Sequence, residues 1–373
     1  MKKILALILA MVMILSLAAC GKTEAPAETP AETPAETPAE TPADTASDIP
    51  YTKENPLVWR LNSNQGEAET AACAQGQSYL HLAKELEART DGAWKVEIYY
   101  NSQLGKSATE LVNGAQFGSF ELFNLICSSW GEFSNAFLPL NTPCLFTDEE
   151  VLIEFLRGEE AKVMSDKLLA DTGVKVAFYC PLGFRATYNN KHPIYTPEDF
   201  HGVKMRTMTD PYVLGAFEAF GATCLNIPYA ELYTSLDQGL ADGADNPYAN
   251  IYNAKHYEVT KYLSDTRCFY CCTNLCVAGA AYDALPDEWK VIFDEVCKES
   301  FEIAATNSTS ENTAEAMEFL KANMEYNDIT DEQMELFVEA TAELREKAAE
   351  EMGEEMWTRI TAEIERIEKE LGK

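Results

Sequence analysis

The chain has 373 residues, 46% of them hydrophobic, and a formal charge of −32 at neutral pH. That length gives room for more than one lobe and a sizeable core. The acidity excludes nucleic acid as a partner, because phosphate would be repelled and no basic stripe offsets it; it reads as a solvated surface.

Residues 1–19 read as an export signal: Lys2 and Lys3 precede an unbroken apolar run from Ile4 to Leu15, too short and wrongly flanked to span a membrane. Leu17-Ala18-Ala19-Cys20-Gly21 resembles the bacterial lipobox, which predicts a lipidated Cys20 and attachment to the outer face of a membrane. Residues 20–50 read as a tether. Four copies of Pro-Ala-Glu-Thr run from Pro26 to Thr41, and proline at every fourth residue with repelling glutamates favours an extended backbone.

From residue 51 the apolar periodicity alternates. Strands are expected over 57–62, 94–100 and 120–127, with helices over 72–90 and 108–114 between them. This strand–helix order is that of a parallel, doubly wound sheet. A helix from Asp148 to Leu156, another over 161–169 and a buried strand over 174–179 follow, and Cys180-Pro181-Leu182-Gly183 breaks the pattern. A second unit then begins. Val203-Lys204-Met205-Arg206 reads as a short strand, and Asp210-Pro211 opens a helix to about Phe220, since aspartate caps free amides and proline suits the first turn. A strand over 224–227, a helix over 230–239 and a second cap-plus-proline device at Asp245-Asn246-Pro247 come next. After a strand over 268–277 and a helix over 286–304 the chain is mostly helical, with Met334, Phe337, Leu344, Ile360, Ile364 and Ile367 among its apolar positions.

Of eleven cysteines, Cys20 is assigned to lipid. Cys268, Cys271, Cys272 and Cys276 lie in an apolar, strand-like run with no histidine and no pair of separated C-x-x-C knuckles, so they read as small buried residues. No metal and no cofactor is expected. The four histidines, His81, His192, His201 and His256, stand in no nucleophile–base motif, and no phosphate loop or Gly-x-Ser-x-Gly is present, which argues against an enzyme.

Arg206 stands where a strand ends and a helix begins, which is where open α/β sheets bind ligands; from the residues alone it is either an anion clamp or a salt-bridged arginine. Three ordered segments carry a resemblance: Tyr100 to Gly105; Gly183-Phe184-Arg185 with Pro197 to Arg206; and Ile227 to Tyr233 with Ala241 to Pro247 and Lys255 to Val259. Together they resemble the solute-binding proteins of TRAP (tripartite ATP-independent periplasmic) transporters, over roughly residues 55–310.

The resemblance implies an α/β, two-lobe, periplasmic-binding-protein-like fold with a ligand cleft between the lobes and long C-terminal helices. The expected lobes are 51–182 with 273–311, and 183–272 with 312–373. It implies capture of an organic anion, a sugar acid or dicarboxylate, by a monomer, and its delivery to the small and large membrane subunits of an ion-gradient-driven permease. The same fold serving a membrane signalling protein is the alternative. Arg206 falls on the family's carboxylate-binding arginine, whose rigid fork can donate two parallel hydrogen bonds. Arg185 falls on a second arginine that assists the ligand, or else forms a salt bridge between lobes. Asn246 falls on an asparagine that contacts ligand polar groups, or else caps a helix. Tyr229 lines the pocket or packs in the core, Asn62 is a further ligand position, and Trp130 is expected in the core. The family's Gly-Gln-Glu-Asn-Pro reads Gly243-Ala244-Asp245-Asn246-Pro247 here, and its Arg-Val-Pro reads Arg206-Thr207-Met208.

Overall fold

Short strand-forming runs separated by amphipathic stretches build two sheets in the computed structural model, which describes residues 49–208, 210–308 and 311–373. The export signal over 1–19, Cys20 and the repeats lie outside the described residues. In chain order the strands are β1 (Leu57–Asn62), β2 (Trp94–Tyr99), β3 (Leu122–Ile126), β4 (Val174–Phe184), β5 (Ala186–Asn189) and β6 (Lys204–Thr207). They continue as β7 (Thr223–Asn226), β8 (Gly243–Asn246), β9 (Tyr262–Ser264), β10 (Tyr270–Ala278) and β11 (Glu325–Asn327).

The first sheet has the order β2-β1-β3-β10-β4, and the second β11-β9-β5-β8-β6-β7. β1 pairs parallel with β2 and β3, as the alternation over 57–127 predicts, while β10 enters antiparallel between β3 and β4. The result is the expected α/β class in two lobes. β4 runs almost directly into β5, with Arg185 alone between them, and 265–269 leads back from β9 to β10.

The helix starts follow the local chemistry in two places of three. Asp148 accepts from the amides of Glu150 and Val151 and caps Glu149–Arg157. Asp210 accepts from those of Tyr212 and Val213 and caps Pro211–Ala219. The third device fails: Tyr248–Asn253 has no side-chain cap, because Asp245 and Asn246 are extended in β8 and bond Arg185 and Tyr188 instead. The helix expected over 72–90 is also divided. Cys73 caps Ala74–Arg89 by accepting from the Gly76 amide, which leaves Glu67–Ala72 as a separate short helix.

Aromatic residues dominate both cores. Under the first sheet the rings of Trp94 and Trp289 stack 5.2 Å apart beside Trp59 and Phe293, fixing the long helix Asp287–Ser308 to the strands. Under the second, Phe200, Phe217, Phe220 and Phe337 pack edge to face. Each such pair adds about 0.5–1.5 kcal/mol beyond its area. Trp130 is fully buried in the first core, donating its Nε1–H to Asn274 Oδ1 at 3.2 Å.

The C-terminal helices part company, which corrects the expected assignment of 312–373 to the second lobe. Phe337, on Asp331–Ala340, joins the second core. The last helix, Glu354–Leu371, instead buries its Ile360, Ile364 and Ile367 stripe in the first core, against Glu149–Arg157. An intervening helix, Ala342–Met352, ends at Gly353, whose φ of 80° favours glycine and makes the turn into the last helix. The ten described cysteines are free thiols, and Cys268, Cys271, Cys272 and Cys276 are buried. Among the described residues no group of three or more metal-ligating side chains is arranged to hold an ion.

Candidate ligand-binding site

The antiparallel register of β5 and β8 sorts the candidate residues by face. Ala186 pairs with Asn246 and Tyr188 with Ala244, so Tyr188 and Asn246 point to one side of the sheet. Asp245 pairs with Thr187 and points to the other. Met205 of β6 lies opposite Gly243 and enters the aromatic core, so the neighbouring Arg206 shares the face of Tyr188 and Asn246.

Arg206 is 5% exposed. Its Nε–H donates to the Ile227 carbonyl at 2.9 Å, which fixes the plane of the fork and leaves both Nη groups uncommitted among the described residues. No carboxylate among them forms an ion pair with it. Burial pulls the guanidinium below its ordinary pKa and the nearby Arg185 charge pushes the same way, yet an arginine stays charged at physiological pH. A buried cation without a counterion costs several kcal/mol, which an incoming anion would offset.

Arg185 has the opposite status. Its Nε donates to Asp245 Oδ2 at 2.6 Å, its Nη2 to Oδ1 at 2.9 Å and to the Asp245 carbonyl at 2.5 Å. Its Nη1 faces Cys271 Sγ at 3.4 Å. Burial opposes the charge, but Asp245 outweighs it and holds the guanidinium above its ordinary pKa. Arg185 is thus salt-bridged to Asp245 of β8 at the strand crossing, and the pair does not join the two lobes expected above.

Asn246 donates from Nδ2 to the Tyr188 hydroxyl at 2.8 Å, and that hydroxyl lies 2.8 Å from His256 Nδ1. The Tyr188 and His256 rings stack at 5.5 Å, and Tyr229 meets His256 edge-on at 6.1 Å. The buried Tyr229 hydroxyl makes no hydrogen bond of ordinary geometry to a described residue. Burial and, next, the Glu69 carboxylate push its pKa up, while Arg206 pulls it down. Arg206, Asn246 and Tyr229 therefore lie close together around Tyr188 and His256, with Glu69 from the other lobe near Tyr229.

Asn62 stands apart from that group in its bonding. Its Oδ1 accepts from the Leu104 amide at 2.9 Å and its Nδ2 reaches the Gly105 carbonyl at 3.4 Å, so it ties down the loop after β2. Elsewhere in the first lobe other polar residues form a network. Asn124 Nδ2 and Gln75 Nε2 both donate to Asn64 Oδ1, at 2.8 and 3.3 Å, and Thr273 Oγ1 bonds Gln75 Oε1 at 3.1 Å. The lobes touch where Ser128 Oγ approaches Met208 Sδ at 3.6 Å. Sequence reasoning missed the partners Tyr188, His256 and Asp245, and this amide network. A period-two reading of 185–189 against 243–246 was the one available signal for Tyr188 and Asp245.

Comparison with known proteins gives the same outline. Residues 66–352 match the model of bacterial extracellular solute-binding protein, family 7. A solute-binding protein of Verminephrobacter eiseniae is 34% identical over 219 residues, 57% of this chain and 63% of the relative, so this alignment spans a little under two thirds of that protein. The C4-dicarboxylate-binding periplasmic protein DctP of Rhodobacter capsulatus is 28% identical over 291 residues, 77% of this chain and 86% of its own. Among solved structures, the sugar acid binding protein DctPAm of Advenella mimigardefordensis, in complex with galactonate, superposes with a TM-score of 0.77 at 25% identity. That match covers 84% of this chain and 99% of the Advenella chain. These are binding proteins and not enzymes, and with more than half of its length inside the family model the chain belongs to bacterial extracellular solute-binding protein family 7.

Proposed function

We propose that this protein is the receptor of a TRAP-type transporter: it captures an organic anion bearing a carboxylate, a sugar acid or a dicarboxylate, and delivers it to the permease subunits in the membrane. One observation carries the reading: Arg206 is a buried cation with its fork held by Ile227 and no counterion among the described residues. A ligand carboxylate would receive the free Nη donors, and Asn246 and Tyr229 would meet its polar and apolar parts. The galactonate of the Advenella protein and the dicarboxylate of the Rhodobacter protein support this chemistry. Arg185 contributes through Asp245 and the crossing of the strands, and Asn62 through the loop it holds.

The same reading includes lobes that close on the anion, centred on the two sheets and divided near Arg185, with the ligand stabilising the closed form by its higher affinity for it. It also includes a lipid on Cys20, with residues 20–50 as tether, and action as a monomer.

The deciding experiment is calorimetry of a panel of acids, including galactonate and succinate, against the wild type and Arg206→Ala. At least one acid should bind the wild type, and the substitution should weaken it by more than about 100-fold, the scale of a lost charge-assisted bidentate pair. Affinity unchanged within a few-fold would remove Arg206 from the site.

A further inference from the structure

The bonds linking Asn246, Tyr188 and His256 are coupled in direction. A phenol carries one proton. Having accepted from Asn246 Nδ2, the Tyr188 hydroxyl must give its own proton to His256 Nδ1. Nδ1 is then bare and the ring proton sits on Nε2. The reverse chain is equally self-consistent: a proton on Nδ1 would donate to Tyr188, whose O–H would donate to the Asn246 Oδ1 of a flipped carboxamide. The imidazole tautomer and the face of Asn246 are thus coupled through one hydroxyl. All three side chains are at least 96% buried, so water does not compete for these bonds.

We propose that His256 is a positioning residue for the ligand site: through Tyr188 it holds the Asn246 carboxamide with Oδ1 toward the cleft, as an acceptor for a ligand hydroxyl beside the carboxylate on Arg206. The inference rests on the reading of Asn246 as a ligand contact. It divides the labour on one sheet face. Arg206 supplies only donors, and Asn246, so turned, supplies the acceptor that distinguishes a hydroxy acid from its unsubstituted analogue. Burial first and the Arg206 charge second depress the His256 pKa to about 4, which keeps the ring neutral and able to accept across the physiological range. The ionisable groups facing it are Tyr188 from β5, Tyr229 from the turn after β7, and Arg206 from β6.

Nitrogen NMR of the full-length, ¹⁵N-labelled protein without ligand tests the relay. His256 should show an unprotonated Nδ1 at pH 7, and one Asn246 carboxamide hydrogen should be protected from exchange. Tyr188→Phe and His256→Phe should abolish that protection, and His256→Asn, which places an amide oxygen near the position of Nδ1, should restore it. A protonated Nδ1 in the wild type, which needs no variant to observe, would overturn the proposal; so would Asn246 signals indifferent to Tyr188→Phe and His256→Phe. A second arm measures preference for L-malate over succinate, a pair differing by one hydroxyl. Tyr188→Phe should reduce any such preference about tenfold, the scale of one oriented hydrogen bond, and His256→Asn should recover it. Failure of every acid to bind would overturn the receptor reading, while the ligand-free spectra decide the relay separately.

Discussion

Asp245 gives Arg185 both carboxylate oxygens and its own carbonyl, while Arg206, on a neighbouring strand, receives no carboxylate from the described residues. Two arginines therefore stand near one acid, and both of its oxygens go to the one at the strand crossing. The charge left over is the one assigned above to the proposed ligand.

Removing Asp245 should expose how dry that pair is. Asp245→Ala strands Arg185 with 3% exposure, and such a loss costs about 3–5 kcal/mol. Urea denaturation of the variant measures it. A loss under about 1 kcal/mol would mean that water reaches Arg185, since exposed pairs are worth no more than that.

Arg206 should behave in the opposite way. Arg206→Met deletes a buried cation that the empty protein does not neutralise, so the unliganded variant should be as stable as the wild type or more stable, by up to about 2 kcal/mol. Ligand should then no longer raise its melting temperature. Thermal denaturation with and without a bound acid reads both effects, and a large loss of unliganded stability would show that Arg206 has a structural partner.

Acid should separate His256 from Asp210. The His256 pKa falls to about 4 in the fold, from an ordinary value of ~6.5. Between these values the unfolded chain binds more protons, so this group's stabilisation is lost as pH falls. Asp210 is raised to about 6 by burial, against two amide hydrogen bonds from Val213 and Tyr212. Its unfolded value is ~3.9, so between the two the folded chain binds more protons and stability is gained as pH falls. Relative to the wild type, Asp210→Asn, which keeps a cap, should lose about 2–3 kcal/mol between pH 6 and 4, and His256→Phe should gain a similar amount. Stability curves that run parallel to the wild type would contradict both assignments.

Gly243 sets the distance between β5 and β8. A Cβ there would sit 2.5 Å from the Tyr188 carbonyl oxygen and 2.6 Å from Asn189 Cβ. Gly243→Ala should cost about 1–3 kcal/mol, as overpacking does, and weaken ligand binding by shifting Asn246. Paired denaturation and calorimetry check this, and unchanged affinity in a destabilised variant would separate the strand spacing from the site.

What could be read in the chain was what is decided locally. The caps at Asp148 and Asp210 follow from aspartate beside free amides, and the parallel order of β1, β2 and β3 from alternating periods. Arg206 was legible because it precedes such a cap. The partners were not. Whether Asp245 caps a helix or meets Arg185 depends on which face β5 and β8 share, a register set by residues nearly sixty positions apart. Asn62 was legible as a polar residue at a strand end, but its bonds to Leu104 and Gly105 depend on where the loop after β2 returns. The stripe Ile360, Ile364, Ile367 says that the last helix is buried on one side, and nothing in its period says against which lobe.

That last helix bears on how the molecule can move. The backbone passes between the halves at Arg185, between Ser264 and Tyr270, between Ala305 and Leu320, and again between Phe337 and Ile360. A single connection would let two bodies roll, shear and twist. Several covalent crossings remove most of those freedoms and leave rotation about the line that joins them. On the proposed closure little conformational entropy remains to be lost, so a small anion with few contacts would supply enough free energy to hold the lobes shut.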